Sequence, residues 1–304
     1  MKIAITGASG LIGTALVQSL GADGHEVIRL VRRTPRTADE HRWDPQHRRI
    51  DPALLTDVDA VINLAGTPIR PRPFTSSYKQ RLIDSRIDAT TTISEALAAA
   101  AQDGRPRVLL SASAVGFYGD TGARVVTEQD PAGTDFLARL CVQWEAATAS
   151  AEAAGVRVVH LRTGLVLDRS AMLVQVLSRI FRLGLGGRMG SGQQYWPWIS
   201  LTDEVGAIRH LLTADVSGPV DLTGPEPVTN AEFTAELGRQ VHRPTVLPVP
   251  AFALTTALGE FGRSSVVGGQ RALPARLLES GYTFAQPDLP SALSAALREG
   301  AASR

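Results

Sequence analysis

The stretch Lys2-Ile3-Ala4-Ile5-Thr6-Gly7-Ala8-Ser9-Gly10-Leu11-Ile12-Gly13 decides the fold. Its first residues form a short, mostly apolar run, the pattern of a buried strand. Leu11, Ala15, Leu16 and Leu20 then recur at helical spacing, and a second strand pattern, Glu26–Val31, follows Gly24-His25. The three pieces make a βαβ unit of about 30 residues. Each glycine meets a mechanical need. Gly7 permits the tight turn off the strand, Gly10 lets a diphosphate approach the backbone, and Gly13 lets the helix pack close to the sheet. The helix N-terminus adds free N–H groups and a partial positive charge. Gly7, Ser9, Gly10, Leu11, Ile12 and Gly13 are therefore expected to hold the phosphates of a dinucleotide; the bland alternative is a purely structural strand–helix turn.

The end of the second strand selects the dinucleotide. A site for NAD usually places a carboxylate there to bond the ribose 2′-hydroxyl. Here Leu30-Val31 is followed by Arg32-Arg33. A carboxylate repels a 2′-phosphate, whereas a guanidinium grips it with two charge-assisted bonds. Arg32 and Arg33 thus point to NADP(H), against the competing reading of a solvated basic pair on a loop.

Further along, residues 59–66 read as another buried strand ending in a glycine turn, residues 76–101 as a long helix, and residues 107–111 as a strand. Residues 135–154 are helical in pattern, and residues 156–161 form a strand. Strands alternating with helices predict an α/β fold with a Rossmann-type doubly wound parallel sheet. The character changes near Leu165, giving a dinucleotide-binding domain over 1–165, to which later segments may return, and a smaller C-terminal α/β lobe over 166–304. Within that lobe, the glycine- and aromatic-rich residues 184–199 fit either a pocket wall or a structural turn with core tryptophans. Helical patterns follow at 203–212, 231–241 and 252–261.

Composition narrows the function. The formal net charge of +1 argues against a general polyanion binder, so no nucleic-acid partner is expected. No apolar run approaches the ~18 residues of a membrane span, and no secretory leader is visible, so a cytoplasmic protein is expected. Cys141 is the sole cysteine, which excludes an internal disulfide and a multi-cysteine zinc site; no metal is expected. The chain has two lysines, Lys2 and Lys79, and that scarcity limits where a catalytic ammonium could stand.

Several segments together resemble one atypical branch of the extended short-chain dehydrogenase/reductase family: Thr6 to Gly13, Asn63 to Gly66, Ser85-Arg86, Ser111 to Asp120, Trp144-Glu145, Leu161 to Gly164, Gly190 to Ile199, and Thr229 to Phe233. Members of that branch are usually labelled epimerase-family, or NAD-dependent epimerase/dehydratase-like. They end in a C-terminal domain of unknown function, matched here by about 248–297. The resemblance implies that Leu64, Ala65 and Gly66 lie beside the cofactor. It places Arg86, where related enzymes carry an asparagine, on a helix facing the cofactor.

The resemblance breaks at the catalytic centre. Active relatives carry a serine at a strand end and a Tyr-x-x-x-Lys on the next helix, whose lysine lowers the tyrosine pKa and bonds the nicotinamide ribose. Ser113 matches the serine after a one-residue insertion. Counting back from Glu145 puts Cys141 at the lysine and Leu137 at the tyrosine, and neither can do that work. Ser113 and Tyr118 become the candidate proton donors, with a structural tyrosine of the Tyr-Gly turn as the competing reading of Tyr118. Lys79 is the one lysine outside the first strand.

Three functions compete. The first is an NADP(H)-dependent oxidoreductase with a rebuilt proton-transfer site, acting on a small-molecule substrate. The second is a catalytically inactive NADP(H)-binding sensor or scaffold. The third is a nucleotide-sugar epimerase or dehydratase, to which the lost Tyr-x-x-x-Lys is a direct objection, because a keto intermediate needs that proton shuttle.

Overall fold

The apolar run at the chain start lies in the middle of a seven-stranded sheet. The strands in chain order are β1 (Lys2–Thr6), β2 (Glu26–Val31), β3 (Glu40–Arg42), β4 (Ala60–Asn63), β5 (Val108–Ala114), β6 (Arg157–Thr163) and β7 (Gly218–Leu222). The computed structural model describes residues 1–298. Their spatial order is β7-β6-β5-β4-β1-β2-β3, every pair parallel. The chain therefore works outward from β1 to β3, then crosses to β4 and works outward the other way. The reversal between β1 and β4 opens a crevice at the carboxyl ends of the strands, the usual ligand site of such sheets.

The longer helices are α1 (Leu11–Ala22), α2 (Ser76–Ala100), α3 (Phe136–Ala146), α4 (Met172–Arg182), α5 (Leu201–Thr213), α6 (Asn230–Gln240), α7 (Ala251–Gly262) and α8 (Leu289–Leu297). Leu16 and Leu20 of α1 and Ile208 and Leu211 of α5 cover one face of the sheet, against Ile3, Ile5 and Ile62. Ile93 and Leu97 of α2 cover the other, against Ala4, Val61 and Leu109. Burial on both faces is why these strands read as continuous apolar runs. Side-chain caps fix where α2, α3 and α5 start: Thr75, Asp135 and Ser200 each accept a backbone N–H three residues on.

The helical pattern over 135–154 is broken in two, α3 and a short helix at Ala149–Ala153. Thr148 lies between them, and its hydroxyl donates back to the Glu145 carbonyl at 2.7 Å, the kind of local bond that competes with a helix ladder.

After β6 the chain builds the second lobe, but α5 and β7 return to the sheet, β7 pairing with β6. The lobe has its own core, in which Trp196, Trp198 and Phe233 pack with α4, α6 and α8. The aromatic segment 184–199 thus contributes core tryptophans: Trp198 is 1% exposed and Trp196 5%. The C-terminal segment straps the two parts together. Arg276 Nη1 donates to the Pro219 carbonyl at 2.8 Å, and the Tyr282 hydroxyl donates to Asp203 Oδ1 at 3.0 Å. Among the described residues no helix is long and apolar enough to cross a membrane.

Candidate functional site

Gly7 has φ +67°, and a Cβ there would stand 2.7 Å from the Leu64 carbonyl oxygen. At Gly13 a Cβ would fall 2.3 Å from the Gly7 carbonyl oxygen, so these two glycines are demanded by the turn itself. Gly10 differs: a Cβ would meet only the Gly7 oxygen, at 3.3 Å, and otherwise open space. Gly10 also caps α1 without a side-chain bond, leaving the N-terminal N–H groups of the helix available. Thr6 ties the turn to its neighbour. Its hydroxyl donates to Asn63 Oδ1 at 2.7 Å and accepts from the Leu64 and Ala65 N–H groups at 3.0 and 3.1 Å. The ends of β1 and β4 are thereby fixed as one rigid floor.

Above that floor lies a cavity of about 680 Å³. Its walls are the Gly7-to-Gly10 turn, the β2 end from Arg29 to Arg33, and Glu40 with Trp43 and Pro45-Gln46. Leu64 to Thr67 and the Arg81, Asp84, Ser85 and Asp88 face of α2 close it. Of the residues expected at a cofactor, Gly7, Ser9, Gly10, Arg32, Arg33, Leu64, Ala65 and Gly66 line this one groove. Leu11, Ile12 and Gly13 lie in the first turn of α1, and Arg86 lies behind Gly66, just off the wall.

The two arginines at the end of β2 do not act as a pair. Arg33 makes a two-pronged contact to Glu40, at 2.7 and 2.6 Å, and so is committed within the protein. That guanidinium and the Arg36 N–H hold the Glu40 pKa at about 2. Arg29 is likewise engaged with Asp39, at 2.5 and 3.0 Å, and holds that carboxyl well below the usual range. Arg29 and Arg33 are thus engaged by Asp39 and Glu40, whereas Arg32 is exposed, lines the groove and has no ion pair among the described residues. Both arginines line the groove, Arg33 with its guanidinium engaged by Glu40 and Arg32 without such a partner. Sequence reasoning missed Glu40 because β3, Glu-His-Arg, is a three-residue edge strand with no apolar alternation.

On the other side of the crevice the polar groups satisfy one another. Ser113 Oγ, at the end of β5, donates to Glu145 Oε1 at 2.6 Å. Arg162, at the end of β6, donates to both oxygens of Glu145 through Nε and Nη2, at 2.8 and 2.9 Å. Its Nη1 donates to the Tyr118 hydroxyl at 3.0 Å, and that hydroxyl donates to Asp221 of β7 at 2.9 Å. Burial and the nearby Glu128 push the Asp221 pKa well up, and burial and Asp221 raise the Tyr118 phenol further above its ordinary value. Tyr118 is 3% exposed. It bridges three strand ends, an arrangement that fits the competing reading of a structural tyrosine. Ser113 keeps its place at the strand end, with its hydrogen directed at Glu145.

Leu137 and Cys141 hold the two positions that the resemblance gives to the tyrosine and the lysine. Leu137 packs beside Tyr78 and Leu82. Cys141 is buried, its Sγ donates to the Ala114 carbonyl at 3.6 Å, and desolvation pushes its pKa up to about 12, so it is a neutral thiol. The Lys79 ammonium is engaged outside the Ser113 network: it pairs with Glu260 of α7 at 2.5 Å and lies 4.7 Å from the Phe136 ring centre. A second cavity, about 740 Å³, opens near there between the turn at Tyr118 to Asp120 and the Glu260 end of α7.

Comparison with known proteins agrees with this architecture. Residues 3–222 match the model of the NAD dependent epimerase/dehydratase family, and residues 249–296 match a domain of unknown function. An epimerase family protein of Mycobacterium bovis is 49% identical over 292 residues, 96% of each chain. An epimerase family protein of Bacillus subtilis is 36% identical over 301 residues, 97% of each chain. The crystal structure of human epimerase family protein SDR39U1, solved with NADPH, superposes with a TM-score of 0.84 at 30% identity, covering 97% of this chain and 99% of that one. A family match over most of the chain, a glycine turn at the switch point and whole-length relatives lead to one statement: the chain belongs to the NAD dependent epimerase/dehydratase family.

Proposed function

We propose that this protein binds NADP(H) in the groove between β1, β2 and β4 and works as an NADP(H)-dependent oxidoreductase on a small-molecule substrate. The observation that carries the reading is Arg32, an exposed guanidinium at the end of β2 with no ion pair among the described residues, beside the glycine turn where a 2′-phosphate would be expected. The human relative solved with NADPH supports the same choice.

The residues fit the cofactor half by half. The bare face of Gly10 and the N–H groups at the start of α1 receive the diphosphate, and Arg32 receives the 2′-phosphate. A nicotinamide held there would supply or accept a hydride. Ser113 and Glu145 are suited to the accompanying proton: an alcohol losing hydride passes its proton to Ser113 Oγ while the Ser113 proton moves to Glu145, and reduction runs the same path backwards. Arg162 holds the carboxylate in place from both oxygens.

A second reading, a catalytically inactive NADP(H) sensor, draws support from the depth of the same network, in which Ser113 is 4% exposed. Titration calorimetry with NADPH and NADH tests the first claim. NADPH is expected to bind about 10- to 100-fold more tightly, and Arg32→Glu to remove most of that margin. Equal affinities in the parent protein would overturn the NADP(H) choice. Consumption of NADPH with a panel of carbonyl compounds, lost in Ser113→Ala with cofactor affinity kept, separates enzyme from sensor.

A further inference from the structure

Arg86 of α2 is a buried charge that the packing around it does not account for. It is 7% exposed, yet no carboxylate pairs with it among the described residues. Glu145, on the neighbouring α3, is already taken by Arg162 and Ser113. Both protein hydrogen bonds of Arg86 leave from Nη1, to the carbonyls of Thr67 at 3.0 Å and Leu82 at 3.2 Å. Its Nε is buried with no partner at all. A desolvated cation without a counter-charge is costly, and such a group persists where a ligand completes it.

The position of Arg86 says which part of a ligand that is. The guanidinium carbon lies 4.8 Å from the Trp144 ring centre, on the α3 side. On the opposite side it backs onto Gly66, where a Cβ would come within 3.5 Å of its Cγ and Cζ. Gly66 follows β4, and Cys141, one turn before Trp144, bonds the end of β5. Arg86 therefore stands above β4 and β5, across the switch point from Arg32 at the end of β2. A dinucleotide spanning that switch point puts its first nucleoside toward β2 and its second toward β4 and β5.

We propose that Arg86 holds the second nucleoside of the bound dinucleotide, its guanidinium donating to the ribose hydroxyl and phosphate oxygens on the nicotinamide side. The inference rests on the dinucleotide reading of the groove.

Titration calorimetry with two ligands tests this, using NADPH and adenosine 2′,5′-bisphosphate, which carries only the first nucleoside. Arg86→Gln is expected to bind the bisphosphate as the parent does and NADPH about tenfold or more weakly. Unchanged NADPH affinity in Arg86→Gln overturns the proposal. An equal loss for both ligands also overturns it, because a merely structural role does not discriminate between the halves. Arg86→Lys, which keeps the charge and loses the fork, serves if Arg86→Gln does not fold; it is expected to weaken NADPH alone, and parity with the parent for both ligands counts against the proposal. If the parent binds neither ligand, the groove reading itself has failed, a result distinct from every outcome above.

Discussion

The carboxyl end of one sheet carries two regions built on opposite principles. Over β1 and β2, donors and charge are left open: the face of Gly10, the first N–H groups of α1, and Arg32. Over β5, β6 and β7, Ser113, Glu145, Arg162, Tyr118 and Asp221 consume one another's hydrogen bonds in a buried chain. Unsatisfied groups at a surface groove are capacity for a ligand, whereas a satisfied buried network is stiffness, and its members are expensive to disturb. The same residue types therefore mean different things on the two sides: Arg32 is free to bind, while Arg162 is structural. Arg86 lies between the two and shares features of each, buried like the network and unpaired like the groove.

If the contrast is sound, the open side should yield large binding effects with little loss of stability. Gly10→Val is the sharpest case. A side chain there meets one backbone oxygen at 3.3 Å and otherwise fills the space assigned to the diphosphate. Loss of all measurable NADPH binding is expected, with a melting temperature within a few degrees of the parent. Gly13→Val is the control, because its Cβ would stand 2.3 Å from the Gly7 oxygen and the turn itself must move. A folded Gly10→Val protein that still binds NADPH would place the phosphates elsewhere and erase the distinction.

On the closed side the expected signature is stability that depends on protonation. Glu204, in the first turn of α5, is fully buried; Thr163 Oγ1 donates to its Oε1 at 2.8 Å, and its Oε2 has no partner. Desolvation raises its pKa to about 8. The folded state thus prefers the neutral acid, while the unfolded chain ionises at the ordinary carboxyl value of about 4.3. Stability from this group is full below pH ~4.3 and is lost as pH rises towards 8, a drop on the order of a few kcal/mol. Glu204→Gln should flatten that decline, melting higher than the parent at pH 8.5 and no higher at pH 4.5. Parallel pH profiles for the two proteins would show that Glu204 is ionised or hydrated in the fold.

The open side was also the legible one. Lys2 to Gly13 and the basic pair after β2 carry their meaning in local spacing, because turn, helix start and strand end are consecutive in the chain. β2 was located to the residue. The closed side draws Ser113, Tyr118, Glu145, Arg162 and Asp221 from segments up to about a hundred residues apart, and no local period announces that they meet. Tyr118 was read as a proton donor since its nearness to Ser113 in sequence was visible and its bond to Asp221 was not. The Arg33–Glu40 pair is hidden for a related reason: Glu40 sits on a strand too short and polar to be recognised. β7 escaped notice because only five residues, Gly218–Leu222, return to the sheet after a long excursion through the second lobe.

The smallest effect expected is at Tyr118, and it separates the two regions most directly. In Tyr118→Phe the ring stays against Phe117, its edge-on neighbour at 5.4 Å, and only the hydroxyl is lost. Arg162 Nη1 then loses its 3.0 Å acceptor, and Asp221 loses a donor to both of its oxygens. Leaving buried partners unsatisfied costs about 1–3 kcal/mol, so denaturant titration should show a loss of that order. Affinity for NADPH should not change, because no atom of the groove around Gly10 and Arg32 depends on that hydroxyl. Turnover on any substrate found should fall little, and by no more than the proton couple at Ser113 and Glu145 is loosened through Arg162. Lost activity with stability intact would reverse the assignment: Tyr118 would then meet the substrate, and the closed side would open during the reaction.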